Sequence, residues 1–552
     1  MKVFAGILLG CAVGGYELTV LHTNDVHSHY DESNRFGTDC TPQQGEEKQC
    51  YGGLARFKTA IDVQRSLHNN TLLLDGGDQF QGTMFYSYYR GNVTAEAMEM
   101  LGYDVMTLGN HEFDHGPENV ARALANLTFP IVSSNMDASA YPSLASVVKP
   151  YTLFPEHKLA VVGYITATAP LIASLGKVVV EDPVKAVQRI IDEVNGLGYT
   201  RVIAVSHNGY TEDIALAKQV RGLALIVGGH SHSYLAPLTN PAKDLKSMGM
   251  YPTSVPDKDG KSTYIVQAYC WGRFLGHVDV KFGEDGYLAS IQGAPIELDF
   301  SVEKNKAADA RVRELRKPFD GYANQVIGET LADLDQSACQ SRECTMGSFV
   351  CNAMLEYRPQ ADFSFINAGG VRASIPKGNI TRGNVITVLP FSNTIVEFPL
   401  TGSRIWNLLE AVISKTNPYN YKPVTSFIQV SGLRFEFNVN LPPSLTRVQL
   451  LNRTTNAYSD LVLTKNYTAV TLDFLAAGGD NFLAPPIINP PLLDAADEVI
   501  IRYIKSHSPV NVSLTNRITI SQSSNTTHTP TPNNAILTSP TPILFTLLAL
   551  FF

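Results

Sequence analysis

The sequence has no surplus of positive charge. Its 43 Lys and Arg stand against 51 Asp and Glu, a net charge of −8. That balance excludes a scaffold for polymeric nucleic acid, because phosphate backbones recruit Lys and Arg in excess. It does not exclude a small anionic substrate, since a few local cations outweigh the average field. There is no internal repeat, which excludes a solenoid. The C-terminal apolar stretch 543–552 is too short to span a bilayer comfortably. Cysteine is scarce, with seven in 552 residues, yet the cysteines agree with an oxidising compartment. What remains is ordinary globular composition, 44% hydrophobic and 17% charged, in a chain long enough for two or three domains.

The N-terminus reads as an export signal over residues 1–15. Lys2 precedes an apolar run over 3–13, and Ala12 and Gly14 suit cleavage near Gly14 or Gly15. Leu8-Leu9-Gly10-Cys11 competes as a bacterial lipoprotein box. Two features favour a eukaryotic secretory route instead. N-x-S/T sequons stand at Asn69, Asn92, Asn126, Asn379, Asn452, Asn466, Asn511 and Asn525. From Ser521 the chain becomes a Ser/Thr/Asn/Pro tract ending in the short apolar tail, the pattern of a GPI-attachment signal over 521–552. Asn533 or Asn534 is the expected attachment residue, with Ser523 and Ser524 behind them. Cys40/Cys50 and Cys339/Cys344 are the obvious local disulfide pairs, while spacing leaves Cys270 and Cys351 open.

The first half repeats one pattern: an apolar run of strand length ends abruptly in Asp, Asn, His or Gly. Run 18–21 leads into His22-Thr23-Asn24-Asp25-Val26-His27, and run 72–74 into Asp75-Gly76-Gly77-Asp78. Run 105–108 leads into Gly109-Asn110-His111-Glu112, 202–205 into Ser206-His207-Asn208, and 223–227 into Gly228-Gly229-His230-Ser231-His232. Continuous apolar strands predict sheets buried on both faces, with ligands at strand ends. Residues 302–322, rich in Lys, Glu, Arg and Ala, predict a solvated linker helix. A second domain, mixing strands and helices, then runs over 323–520 behind a first domain over 16–301.

A single Asp-x-His is more often a turn than a site. Five such clusters at strand ends of one domain predict a centre for first-row divalent ions, which carboxylate oxygen and neutral imidazole suit. Asp25-Val26-His27, Gly76-Gly77-Asp78, Gly109-Asn110-His111-Glu112-Phe113-Asp114, His207 and Gly229-His230-Ser231-His232 together resemble the calcineurin-like metallophosphoesterases. Chain order and the second half resemble the 5′-nucleotidase family over nearly the whole mature chain. The resemblance implies an α/β fold: an N-terminal metallophosphoesterase β-sandwich flanked by helices, the linker helix, and an α/β C-terminal 5′-nucleotidase domain.

The resemblance also implies roles. Asp25, His27 and His232 would bind one metal, Asn110, His207 and His230 the other, and Asp78 would bridge two divalent ions, with zinc expected. The family often has an amide residue where this sequence has His232. His111, oriented by Asp114, would be the catalytic dyad. His22, Asn24 and Asp75 are expected to hydrogen-bond around the ligands, and Glu112 to be structural. His29, His68, His115 and His157 read as surface or packing residues.

In the second half, Arg342 and Arg372 offer guanidinium groups for phosphate, although a lone Arg is usually a solvated surface charge. By resemblance, Phe391 and Phe474 stack a nucleobase, Asp480 takes the ribose hydroxyls, and Asn367 and Gly370 line the same pocket. Ala477 stands where relatives often carry Asn, which bears on base selectivity. The expectation is a GPI-anchored extracellular enzyme cleaving nucleoside 5′-monophosphates, AMP foremost, and dimeric through the C-terminal domain. Its rivals are an apyrase acting on ATP and ADP, a UDP-sugar hydrolase, and a non-hydrolytic nucleotide scavenger. The last would have no need of the His111/Asp114 dyad.

Overall fold

The computed structural model describes residues 16–439 and 442–521. The expected signal peptide and, beyond Ser521, the expected spacer and GPI-attachment signal lie outside the described residues. Among the described residues no helix is long and apolar enough to cross a membrane.

The apolar runs of the first half form strands in two sheets. One sheet contains β1 (Glu17–Thr23), β2 (Thr71–Asp75) and β3 (Val105–Met106) side by side and parallel. The other contains β4 (Leu159–Ile165), β5 (Arg201–His207), β6 (Leu225–Val227) and β7 (Ser262–Val266), also parallel. A long strand, β8 (Phe274–Phe282), returns antiparallel along β1.

Side-chain alternation explains why these strands read as continuously apolar. Val20, Leu74 and Val105 point into the space between the sheets, where they meet Val161, Ile203, Val205 and Val227. The alternate residues Leu21, Leu73 and Met106 face a helical layer that includes α1 (Leu54–Leu67). On the far side, Val162, Ala204 and Ile226 bury against Val187, Ile190 and Val194 of the helix Pro183–Gly196. That helix starts where Asp182 accepts from the Lys185 amide and Pro183 occupies the first turn. Both faces of each sheet are therefore covered, and each buried Val or Leu contributes about 1.5–3 kcal/mol.

The connecting helix α2 (Lys306–Ala323) begins four residues later than the composition predicts, because Asn305 caps it by accepting from Ala307 and Ala308 at 3.1 Å. It is not solvated all round. Ala308, Val312, Leu315, Phe319 and Ala323 form a buried stripe in the core of the first domain, and Phe319 meets Phe85 edge-on at 5.1 Å. The Lys, Glu and Arg that dominate its composition occupy the opposite face, which hid this stripe.

The second half is built on a five-stranded sheet that includes β9 (Phe363–Asn367), β10 (Thr394–Thr401) and β11 (Asn466–Leu472). Helices Thr345–Tyr357, Gly402–Ser414 and Ala496–His507 pack on it. Cys40–Cys50 and Cys339–Cys344 are disulfide-bonded as expected, and Cys270 and Cys351 are free and buried.

Candidate active site

Strand ends from both sheets converge. β1 runs out into Asp25 and His27, β2 into Asp78, β3 into Asn110 and His111, and β5 ends on His207. β6 runs out into His230 and His232. Glycines let these loops touch. A Cβ on Gly77, at φ +86°, would meet Gly109 N at 2.6 Å, and one on Gly109 would meet Asp78 Oδ1 at 2.1 Å.

The side chains form two groups, Asp25/His27/His232 and Asp78/His207/His230, each with ligand atoms within 4.8 Å of one another. Asp78 Oδ2 lies 3.0 Å from His207 Nε2 and 3.9 Å from His27 Nε2, so it faces both groups. His27 donates its Nδ1–H to Phe80 O at 3.0 Å, and His207 its Nδ1–H to Gly76 O at 2.6 Å. Those bonds fix the tautomers and direct both Nε2 lone pairs inward. His27 Nε2 and His232 Nε2 stand 3.1 Å apart. Asn110 Oδ1 is buried without a hydrogen-bond partner, and His207 Nε2 faces the Asp78 carboxylate. Inward ring nitrogens, two carboxylates and the orphaned Asn110 oxygen make a donor set that fits two divalent cations.

Electrostatics agree with that donor set. Burial opposes ionisation of Asp78, yet the imidazoles of His207 and His111 hold its carboxyl well below the usual range. Burial pushes His230 down to about 3 and His27 well down, which keeps both rings neutral. At His207 burial is outweighed by the Asp78 carboxylate and the site rises to about 10. The carboxylates thus favour positive charge at this spot.

His111 sits beside the groups. Its backbone N–H donates to Asp78 Oδ1 at 2.8 Å, and its Nδ1 lies 3.0 and 3.1 Å from the two Asp114 oxygens. Burial works against a charged ring here, but Asp114 and then Asp78 raise its pKa. Glu112 is fully buried and accepts from the amides of Asp78, Gln79, Phe80 and Gly109. Asn24 donates to Asp25 Oδ2 at 2.7 Å, and Asp75 accepts from the Gly77 amide, both as expected around the ligands. His22 instead pairs with the Tyr251 hydroxyl at 2.9 Å.

The C-terminal domain reaches into this place. Arg372 Nη2 lies 3.3 Å from His27 Nε2, and the Phe391 ring stacks on His111 at 5.3 Å. Asp480 is buried in a left-handed turn, where it accepts from Asn367 Nδ2 and Thr425 Oγ1 at 2.6 Å each. Gly370 abuts Asn367, since a Cβ there would meet Asn367 Oδ1 at 2.6 Å. Phe474 lies half-buried against Gly479. Arg342 is exposed and makes no ion pair among the described residues.

Sequence reading missed the support behind these groups. Trp271 N donates to Asp25 O at 2.8 Å, and Tyr269 O accepts from Asn24. Both follow β7 and act through backbone atoms, which residue choice does not reveal.

The calcineurin-like phosphoesterase family profile matches residues 18–234, and the 5′-nucleotidase C-terminal domain profile matches 324–485. Human 5′-nucleotidase is 33% identical over 94% of this chain and 93% of its own length. The chain belongs to the 5′-nucleotidase family. The family extends to snake venom 5′-nucleotidase of Naja atra, 32% identical over 85% of this chain and 92% of its own. The crystal structure of a Thermus thermophilus 5′-nucleotidase precursor superposes with a TM-score of 0.84, at 33% identity over 92% of this chain and 99% of that one. With the metallophosphoesterase fold and its two ligand groups, this member of the 5′-nucleotidase family is a dimetal phosphohydrolase.

Proposed function

We propose that the protein cleaves nucleoside 5′-monophosphates, AMP foremost, to nucleoside and phosphate. The observation that carries this reading is the cross-domain contact: Arg372 lies 3.3 Å from His27 and Phe391 stacks on His111. A guanidinium and an aromatic ring beside the phosphoesterase residues suit a substrate with a phosphate at one end and a base at the other.

In this reading Asp25, His27 and His232 hold one ion, Asn110, His207 and His230 the second, and Asp78 bridges them, with zinc as the metal. The chemistry such a pair supplies when bound is a nucleophile from water at neutral pH and neutralisation of phosphoryl charge. Arg372 clamps the phosphoryl oxygens and orients them for in-line attack. Asp114 holds the Nδ1–H of His111, so that the proton on Nε2 passes to the departing 5′ oxygen. Phe391 and Phe474 bind the base by its faces, and Asp480, held by Asn367 and Thr425, accepts from the ribose hydroxyls. Gly370 keeps the wall of that pocket thin. Arg342 belongs to the same proposal as an outer phosphate contact.

The reading extends to a GPI-anchored position on the outer face of the plasma membrane and a homodimer through the C-terminal domain. The spread of sequons and the two disulfides support the secretory route; the family resemblance supports the dimer. Release of activity from intact cells by a phosphatidylinositol-specific phospholipase tests the anchor.

The deciding experiment measures phosphate release from AMP, ADP and ATP by the purified protein, with His111→Ala as the contamination control. Rapid, His111-dependent turnover of AMP with poor turnover of ATP is expected. Fast turnover of ATP and ADP that stops at AMP would overturn the substrate assignment and leave the phosphohydrolase intact.

A further inference from the structure

A second cluster of metal-ligating side chains lies away from the centre described above. His68, which ends α1, faces His277 and Asp279 of β8, and one ligand atom from each lies within 4.8 Å of the others. The register of β1 against β8 places Thr19 opposite Asp279 and Leu21 opposite His277. From Thr19 to Thr23, the last residue of β1, the strand advances about 13 Å at roughly 3.3 Å per residue, and Asp25 lies beyond that end. The cluster therefore sits where the parallel strands begin, and the dimetal centre sits where they end.

Three observations point to a ligand. First, His68 Nδ1 is 3.6 Å and His277 Nε2 3.7 Å from Asp279 Oδ1. Both exceed the roughly 2.7–3.2 Å of a good hydrogen bond. They are close to the edge of a tetrahedron around zinc, about 3.3 Å for metal–ligand bonds of about 2.0–2.1 Å. Second, His277 Nε2 is buried and has no hydrogen-bond partner, which polar atoms in native interiors rarely tolerate. Third, the Asp279 carboxylate is already oriented, because Thr19 Oγ1 donates to its Oδ1 at 2.6 Å. Supporting bonds of that kind are common behind metal-binding carboxylates.

We propose that His68, His277 and Asp279 form a third divalent-metal site of the zinc class. It takes three protein ligands, and the partial exposure of His68 and Asp279 leaves a fourth position to water. Bound there, the ion clips the end of α1, and with it the turn into β2, onto β8. The site is a structural clip that contacts no substrate. It stands independently of the roles assigned at the catalytic centre.

The test uses the purified full-length protein dialysed against micromolar zinc, with bound metal measured by plasma mass spectrometry. Wild type is expected to hold one equivalent more than His277→Ala and one more than His68→Gln, while kcat and KM for AMP stay the same in all three. Because the readout is a difference of one equivalent, it does not depend on how fully the catalytic centre is loaded. His68→Gln lies at a half-exposed helix end, so it isolates metal binding from any folding defect of His277→Ala. Zinc should also raise the thermal midpoint of an enzyme whose catalytic centre is already loaded, and should not do so in His68→Gln. Equal metal content in wild type and His68→Gln would overturn the proposal.

Discussion

Glu112 offers the sharpest test of how this centre is held. Its Oε1 accepts from Gln79 N at 2.8 Å and Phe80 N at 3.0 Å, and its Oε2 from Asp78 N at 3.0 Å and Gly109 N at 2.6 Å. The side chain has no exposed surface. Glu112→Gln keeps the shape but offers a carbonyl oxygen to only one of these pairs and turns an NH2 group toward the other. Flipping the amide merely exchanges the pair that is lost. Two buried N–H groups then lack an acceptor, at about 1–3 kcal/mol each, so the variant should lose about 2–6 kcal/mol. The damage is directed, because the Asp78 carboxylate that faces both ligand groups hangs from one of these amides, and its Oδ1 positions the His111 N–H. Metal content and kcat should therefore fall together. The assay is the urea midpoint, converted through an unchanged slope, with bound metal measured in parallel. Glu118→Gln, on an exposed glutamate six residues on, is the control and should shift stability by less than about 0.5 kcal/mol. Glu112→Gln protein as stable and as metal-replete as that control would refute the argument.

Three further outcomes are expected. His111→Ala should lower kcat by roughly 10²–10⁴ while bound metal, measured by mass spectrometry, stays at the wild-type level; loss of metal would instead make His111 a ligand. Asp114→Asn should lower kcat in the same direction and leave KM nearly unchanged, because it removes the negative charge that raises the His111 pKa and stabilises its Nδ1–H, without touching substrate. Phe391→Ala should raise KM for AMP by about 5- to 150-fold, the equivalent of about 1–3 kcal/mol of stacking. It should leave KM for a phosphate monoester without a base unchanged, and a parallel rise for both substrates would show that the ring serves His111 instead.

The parallel strands of the first domain and the clusters beyond them were legible because two signals coincide there. Buried strands are apolar on both faces, and polar residues appear abruptly where burial ends. Val20 and Leu21 serve opposite faces of one sheet, yet both are apolar, so the strand and its end read clearly. The α2 helix was harder. Its buried stripe uses Ala308 and Ala323 as well as larger residues, and alanine carries little weight against a face of Lys, Arg and Glu. The support from Tyr269 and Trp271 is carried by a backbone carbonyl and a backbone amide, which leave no imprint on residue choice. The cluster of His68, His277 and Asp279 was illegible for another reason. His68 stands far back in the sequence from His277 and Asp279, and only the antiparallel return of β8 along β1 brings them together.

Left-handed backbone is concentrated at the centre. Asp25, His27, Asp78, His230 and His232 all have positive φ, between 49° and 75°. Asp and His are among the side chains that enter this region most readily, so the low end of the usual cost, about 1 kcal/mol each, applies. Five such residues cost about 5 kcal/mol, against a net stability of about 5–15 kcal/mol for a typical protein. The loops cannot hold that conformation alone. Backbone bonds from Asp25 N to Gly77 O, His27 N to Asp78 O and Trp271 N to Asp25 O tie them to one another, and the packed sandwich below fixes where each one starts. Local preference and global fold agree along the strands and part company at their ends. Positive φ also occurs at surface turns such as Lys48 and Lys158. At the strand ends, however, five such residues gather with polar side chains around one spot, the kind of concentration a site selected for chemistry leaves behind.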